Sequence, residues 1–125
     1  MLKVLCWGMG GSVNLVEPLR AMIKELGMEL VTMSEWPQHD IKWDKDTFID
    51  EIKKADIIIL PVNPIQTAKS ANRLVQSLVC GKPCICGPLP AYIRIKEQYP
   101  EENIHIANNL EEWKCQLQKI SQSMK

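Results

Sequence analysis

Several features that would assign the chain to a broad class are missing from its sequence. No apolar run approaches the ~20 residues that a membrane-spanning helix needs. The apolar segment at residues 2–7 is too short, and too soon interrupted by glycines, to be a signal peptide. Lys and Arg together number 15, and so do Asp and Glu, which argues against a basic field that would attract nucleic acid or an anionic membrane. We therefore expect a cytoplasmic protein with no membrane span and no nucleic-acid partner.

Signatures of nucleophilic catalysis and of metal binding are also missing. No serine or cysteine has a histidine at the spacing of a known triad. The five cysteines are an odd number, and reduced thiols in apolar runs are the favoured interpretation. Cys80, Cys84 and Cys86 lack the two-residue gaps of metal-binding turns, so we predict no metal site. His39 and Asp40 could form an acid–base pair, although a surface-loop histidine is preferred.

What the sequence does contain is a regular alternation of apolar strands and amphipathic helices. The predicted strands are residues 2–7, 29–33, 57–60, 84–86 and 103–107. Helices are predicted between them and after the last one. This alternation predicts an α/β fold over residues 1–125, a single-domain, three-layer Rossmann-like sandwich of about five parallel strands with helices on both faces. The expected strand order is 3-2-1-4-5, which places the switch point between the first and fourth strands.

Two of these helices carry predicted N-terminal capping boxes. Asn14 is expected to cap the helix that follows the first strand, with Glu17 three residues later, and Gly27 ends that helix. Asn109 is expected to cap the last helix, with Glu112 in the equivalent position.

The segment after the first strand is rich in glycine. Gly8, Gly10, Gly11 and Ser12 would let a ligand approach the backbone, and the following helix would offer its N-terminus to a phosphate. The spacing is not the G-x-G-x-x-G dinucleotide fingerprint, and Glu35 is the only acidic residue near the end of the second strand. An NAD site is therefore weakly supported. A tight turn with no ligand remains the alternative.

The helix between the third and fourth strands has two unlike faces. Thr67 or Ser70 is its expected N-cap. The predicted buried face comprises Ala68, Ala71, Val75 and Leu78, and the polar face comprises Lys69, Asn72, Arg73 and Gln76. Lys69 and Arg73 could hold a diphosphate near the positive end of the helix dipole, and Gln76 could bind a ribose hydroxyl. The alternative is an ordinary solvated helix face.

Residues 69–92 read KSANRLVQSLVCGKPCICGPLPAY. This stretch resembles the motif K-S-x-N-R-L-[IV]-E-[AS]-L-x-x-G-[RK]-P-V-[VI]-x-x-P-L-P-A-Y in the C-terminal, donor-binding domain of GT-B glycosyltransferases. The preceding ADIIILPV, residues 55–62, and the opening WGMGGSVNL, residues 7–15, resemble other segments of the same domain. The resemblance covers nearly the whole chain.

The resemblance implies a stand-alone domain that binds a UDP- or GDP-sugar as substrate for glycosyl transfer. It implies no tightly bound cofactor and no metal. The donor-binding positions that it implies are Gly10, Gly11, Ser12, Lys69, Ser70, Asn72, Arg73, Gln76, Leu89, Pro90 and Tyr92. Gln76 stands where the family has a ribose-binding glutamate, and an amide lacks the charge that strengthens such bonds. The acceptor domain of the family is absent, so a homodimer or a separate acceptor-binding chain is expected, and no catalytic residue is assigned.

Two alternatives remain open. The absent glutamate and acceptor domain would also suit a non-catalytic relative that serves as an interaction or scaffold module. A receiver-like or flavodoxin-like domain has the same layers, but receivers need acidic residues after the first strand, where this chain has Trp7 and Gly8. The flavin version rests on fold analogy alone.

Overall fold

The fold, taken from a computed structural model, is described for residues 1–63 and 71–124. Its centre is one parallel sheet in the order β3-β2-β1-β4-β5-β6. The strands are β1 (Lys3–Trp7), β2 (Glu29–Ser34), β3 (Ile41–Lys42), β4 (Ile57–Leu60), β5 (Cys84–Cys86) and β6 (Ile104–Ile106). The helices are α1 (Gly10–Val13), α2 (Glu17–Glu25), α3 (Phe48–Lys54), α4 (Asn72–Val79), α5 (Pro90–Gln98) and α6 (Leu110–Ser123), with a 3-10 turn at Asn14–Val16.

Helices cover both faces of this sheet, because successive side chains of a strand point to opposite sides. Leu5 and Ile58 belong to the core beneath α3, α4 and α5. Their strand neighbours Val4 and Ile57 belong to the core beneath α2 and α6. All four residues of β4 are buried, as a central parallel strand requires. The three-layer Rossmann-like class is therefore confirmed. In the described residues, no helix is long and apolar enough to cross a membrane.

The order 3-2-1-4-5, counted along the chain, is also confirmed, with β6 added at one edge. One assignment within it differs. Ile41–Lys42 was not among the predicted strands but forms the edge strand β3, pairing with Met33 and Ser34 of β2. Ile57–Leu60 is therefore the fourth strand rather than the third, and it lies beside β1. The switch point thus lies between the loops that follow β1 and β4, and the loop at Gly87 is one strand further away.

The chain after β1 becomes helical earlier than predicted. Helix α1 begins at Gly10, and Asn14 lies at its C-terminal end rather than at a helix start. The side-chain oxygen of Asn14 is hydrogen-bonded to His39 Nε2 at 3.0 Å. Pro18, which has no N–H, occupies the first turn of the separate helix α2. At the last helix the prediction is confirmed, since Asn109 Oδ1 accepts from the Glu112 N–H at 2.9 Å.

Candidate functional site

All strands of the sheet are parallel, so the loops that follow them open on one edge. At this carboxyl edge, the end of β1 is fixed to α4. The Trp7 indole Nε1 donates to Ser77 Oγ at 3.1 Å, and Ser77 Oγ donates to the Arg73 carbonyl at 2.8 Å. The Arg73 guanidinium in turn donates to the Trp7 carbonyl at 3.0 Å. These bonds place the positive charge of Arg73 directly beside Gly8.

The two unlike faces predicted for α4 are only partly correct. Its buried residues are Leu74 and Ser77, and Val75, expected inside, is 43% exposed. The face is rotated because Ser77 is drawn inward by its bonds to Trp7 and to the helix backbone. Ser77 was assigned to neither face, although a buried serine can satisfy its hydroxyl within a helix.

The glycine-rich segment is covered by the loop that follows β2. The Gly10 N–H donates to Glu35 Oε1 at 3.0 Å. The Trp36 indole lies so close to Gly10 that an added Cβ would be 2.0 Å from Trp36 Cδ2. A glycine is therefore needed at position 10 because the Trp36 side chain packs on it. The Gly10 N–H is already hydrogen-bonded to the Glu35 carboxylate. Gly11 is exposed and has open space around it.

His39 does not pair with Asp40. Its Nδ1 is hydrogen-bonded to Ser34 Oγ, and its Nε2 to Asn14 Oδ1 at 3.0 Å. Asp40 Oδ2 instead accepts from the Thr32 N–H at 2.9 Å. The acid–base pair considered from the sequence is thus replaced by structural contacts, in which His39 ties this loop to the 3-10 turn and to β2, and Asp40 ties it to β2.

A cleft of 490 Å³ opens between these elements, on the α3 and α4 side of the carboxyl edge. It is lined by Trp7, Gly8, Met9, Ser12, Glu35, Trp43, Asn72 and Arg73. The Trp43 ring is fixed from behind by Phe48, with ring centroids 5.3 Å apart. The volume lies within the range of about 300–1,000 Å³ typical of small-molecule sites. The cleft therefore offers an aromatic wall, one guanidinium and one carboxylate.

The residues predicted to bind a donor are distributed unevenly around this cleft. Ser12, Asn72 and Arg73 line it. Lys69 and Ser70, like the predicted cap Thr67, lie outside the described residues. Gln76 is exposed on α4 and is not among the residues that line the cleft.

Leu89, Pro90 and Tyr92 lie at the start of α5 rather than in the cleft. Pro90 is the first residue of α5, which suits its fixed backbone angle. Leu89 is buried and lines only a small pocket of 10 Å³ beside Arg73. Tyr92 is 0% exposed in the core and is not among the residues that line the cleft. Burial raises the pKa of its hydroxyl, an effect that the nearby Arg73 charge partly offsets.

The cysteines contribute no reactive group to the cleft. Burial raises the pKa of Cys6 and of Cys86 to about 12, and raises that of Cys84 as well. A buried, protonated thiol is inert as a nucleophile and as a metal ligand. Over the described residues, no group of three or more His, Cys, Asp or Glu side chains could hold a metal ion.

Sequence reasoning missed four of the cleft residues: Trp7, Met9, Glu35 and Trp43. Glu35 was noted only as an acidic residue beyond the second strand. Its position at the carboxyl end of a strand beside β1 was the available signal. Trp43 carried no periodic signal, because it follows a strand of two residues.

Comparison with known proteins shows a similarity of fold to a solved structure. No protein-family description and no curated protein matches the sequence. Among solved structures, the chain is similar to the CMP N-glycosidase BcmB of Clostridium botulinum, with a TM-score of 0.57 and 19% identity. The match covers 93% of this chain and 97% of that protein. The likeness extends over the whole Rossmann-like fold and supports the architecture described above.

Proposed function

We propose that the cleft binds the nucleotide part of a nucleotide sugar, a UDP-sugar in preference to a GDP-sugar. In this assignment the base packs on Trp43, the ribose hydroxyls donate to Glu35, and the phosphate accepts from Arg73. Asn72 and Ser12 lie at the same rim. The nucleotide sugar would be a substrate, with no tightly bound cofactor.

The observation that carries the proposal is the combination of groups in one cavity. Trp43, Glu35 and Arg73 come from three different segments of the chain and line the same 490 Å³ cleft. A nucleotide needs a flat apolar surface for its base, an acceptor for its hydroxyls and a cation for its phosphate. The arginine is suited to phosphate because its planar fork can donate two parallel hydrogen bonds.

Two further points support a pyrimidine nucleotide and a glycosyl reaction. The structurally similar BcmB is a CMP N-glycosidase, so this fold serves a pyrimidine nucleotide in that protein. The GT-B resemblance of residues 69–92 implies a donor-binding role in glycosyl transfer. We extend the proposal to such transfer, with the acceptor held by a second copy or by a separate chain. A scaffold module without turnover is the alternative.

The test measures the contribution of the phosphate to binding separately from that of the nucleoside. Amide chemical shifts of ¹⁵N-labelled protein are followed during titration with uridine, UDP, CMP and GDP. We expect UDP to bind more tightly than uridine and to shift the amides of Gly8, Gly10 and Trp43. In Arg73→Gln, the affinity for UDP should fall roughly 10- to 100-fold, the value of a hydrogen bond to a charged group. The affinity for uridine should change little.

Two control variants keep this result interpretable. Arg94→Gln removes the same charge from an exposed position on α5 and should bind UDP like the wild type. Arg73→Lys keeps the charge but loses the fork, and should fall between wild type and Arg73→Gln. Equal affinities for uridine and UDP in the wild type, or no shifts at the cleft with any nucleotide, would contradict the proposal.

A second candidate is hydrolysis of a nucleotide N-glycosidic bond. It is favoured by one observation, the carboxylate of Glu35 within the cleft. In this reaction the bond between C1′ and the base nitrogen breaks, water adds its hydroxyl to C1′, and the base leaves with the remaining proton. A carboxylate would stabilise the positive charge that develops on the sugar. Chromatography of CMP and UMP after incubation would detect the released base, and Glu35→Gln should abolish the release. Intact nucleotide in the wild-type reaction would exclude this candidate.

A further inference from the structure

The carboxyl edge carries a second cavity on the opposite side of the sheet, between α2 and α6. This groove of 390 Å³ is formed by the loops after β4, β5 and β6 together with both helices. Its lining residues are Leu15, Pro18, Leu19, Pro61, Val62, Gly87, Pro88, Ala107, Asn108, Asn109, Leu110 and Trp113. None of them is charged, whereas the first cleft holds both Arg73 and Glu35.

The polar groups of the groove are two neighbouring amides. The cap of α6 uses Asn109 Oδ1, which accepts from the Glu112 N–H, and Asn108 Nδ2, which donates to Glu112 Oε1. The Asn108 amide oxygen and the Asn109 amide nitrogen take no part in these two bonds. One acceptor and one donor therefore line the same groove as Trp113, which is 6% exposed, and Leu110, which is 51% exposed.

The charge around this groove disfavours an anionic ligand. Helix α6 would attract an anion through its N-terminal dipole, but Glu111 and Glu112 occupy its first turn. Glu112 is already engaged with Asn108. A neutral molecule with an apolar face and several hydroxyls meets an aromatic ring, apolar side chains and amide groups. That is the chemistry of a sugar ring.

A small pocket lies next to both the groove and the first cleft. The small pocket beside Leu89 is lined by Ser12 and Arg73, which also line the cleft, and by Leu15, Pro61 and Val62, which also line the groove. This junction of 10 Å³ has room for about one water. A ligand that occupies both cavities must therefore cross at the surface, where it passes Arg73.

We propose that this groove is the subsite for the neutral sugar of the nucleotide sugar, an inference that rests on the proposed function. The nucleoside lies in the cleft, the phosphate crosses at Arg73, and the sugar packs on Trp113 with its hydroxyls on Asn108 and Asn109. The phosphate thus lies at Arg73, the cation that lines both the cleft and the small pocket next to the groove.

The test uses amide shifts as reporters for each cavity. Titration of the wild type with UDP should shift the cleft amides of Gly8 and Trp43. UDP-glucose and UDP-N-acetylglucosamine should also shift those of Asn108, Leu110 and Trp113. At least one of these sugars should bind roughly 2- to 10-fold more tightly than UDP, the value of one neutral hydrogen bond.

Leu110→Asp places a carboxylate in the groove, at a helix start that tolerates negative charge. It should remove the advantage of the nucleotide sugar over UDP and leave the affinity for UDP unchanged. Val79→Asp, at a side chain that is 82% exposed and lines neither cavity, is the matched control and should keep that advantage.

Failure of the inference is distinguishable from failure of the proposed function. If UDP binds the cleft but no nucleotide sugar shifts the groove amides, the subsite is wrong and the proposed function stands. If no nucleotide binds, the groove is tested alone with methyl glucoside and with 8-anilinonaphthalene-1-sulfonate. Shifts by the glucoside that Leu110→Asp abolishes would support a sugar subsite. Shifts by the dye alone, or by neither probe, would overturn it.

Discussion

Replacement of Gly10 by alanine should destabilise the fold, because the Trp36 indole occupies the space that the new methyl group needs. The added Cβ would lie 2.0 Å from Trp36 Cδ2 and 2.2 Å from Cε2, far inside ordinary van der Waals contact at 3.4–4 Å. The ring would have to leave its position. It would lose its stacking on His39, and the hydrogen bond from Gly10 to Glu35 would be disturbed.

The expected cost of Gly10→Ala is about 1–3 kcal/mol in the free energy of unfolding, the range for overpacking a filled site. Gly11→Ala is the matched control. Its Cβ would meet nothing within 4 Å, and Gly11 lies in the same helix. Alanine there should stabilise the protein by about 0.4–1 kcal/mol, because it restricts the unfolded chain. The two variants should therefore differ by about 1.5–4 kcal/mol.

Urea unfolding followed by far-UV circular dichroism measures this difference, provided that both variants keep the wild-type dependence on urea. Displacement of Trp36 should also increase quenching of tryptophan fluorescence by acrylamide in Gly10→Ala alone. Equal stability of the two variants, with unchanged quenching, would refute the placement of the Trp36 ring on Gly10.

Two further predictions concern the last helix and the thiols. Asn109→Ala should lower the free energy of unfolding by about 1 kcal/mol in urea titration, because it removes the acceptor for the Glu112 N–H; unchanged stability would contradict the cap. Cys115, which is exposed, should react with Ellman's reagent in the folded protein, and Cys6 and Cys86 should react only after unfolding. Because burial raises the folded-state pKa of Cys6 and Cys86 to about 12, their contribution to stability should be lost as the pH rises from about 9, where unfolded thiols ionise, towards 12. Their early reaction at pH 8 would contradict this burial.

Much of the fold could be predicted because apolar runs and helical spacing report burial directly. The all-apolar β4 and the Asn109 cap are examples. The short strand β3 could not be predicted, since Ile41–Lys42 pairs through only two residues and carries no alternation. Its omission shifted the expected position of the switch point.

The candidate site was less predictable, because its contacts depend on pairs distant in sequence. Arg73 was correctly singled out from its helix position, yet its bond to Trp7 joins residues 66 positions apart. The same contacts turned Ser77 inward and left Val75 exposed. Helical spacing predicts which residues share one face of a helix. It does not predict how that face is turned about the helix axis when a polar side chain bonds to a buried partner. The ribose role of Gln76 came from the resemblance and has no support in the cleft lining.

The hydrogen bonds between Trp7 and α4 make one wall of the cleft more rigid than the other. One wall, the end of β1 with Arg73, is fastened at its backbone and at its side chain to a helix packed on the central strands. The opposite wall, with Glu35 and Trp43, follows β2 at the edge of the sheet and is held by the two-residue strand β3 and by contacts with Gly10 and Phe48. We expect the cleft to widen by outward movement of the Trp43 wall about a stationary Arg73. The charge that would meet a phosphate would then be in position before any ligand arrives.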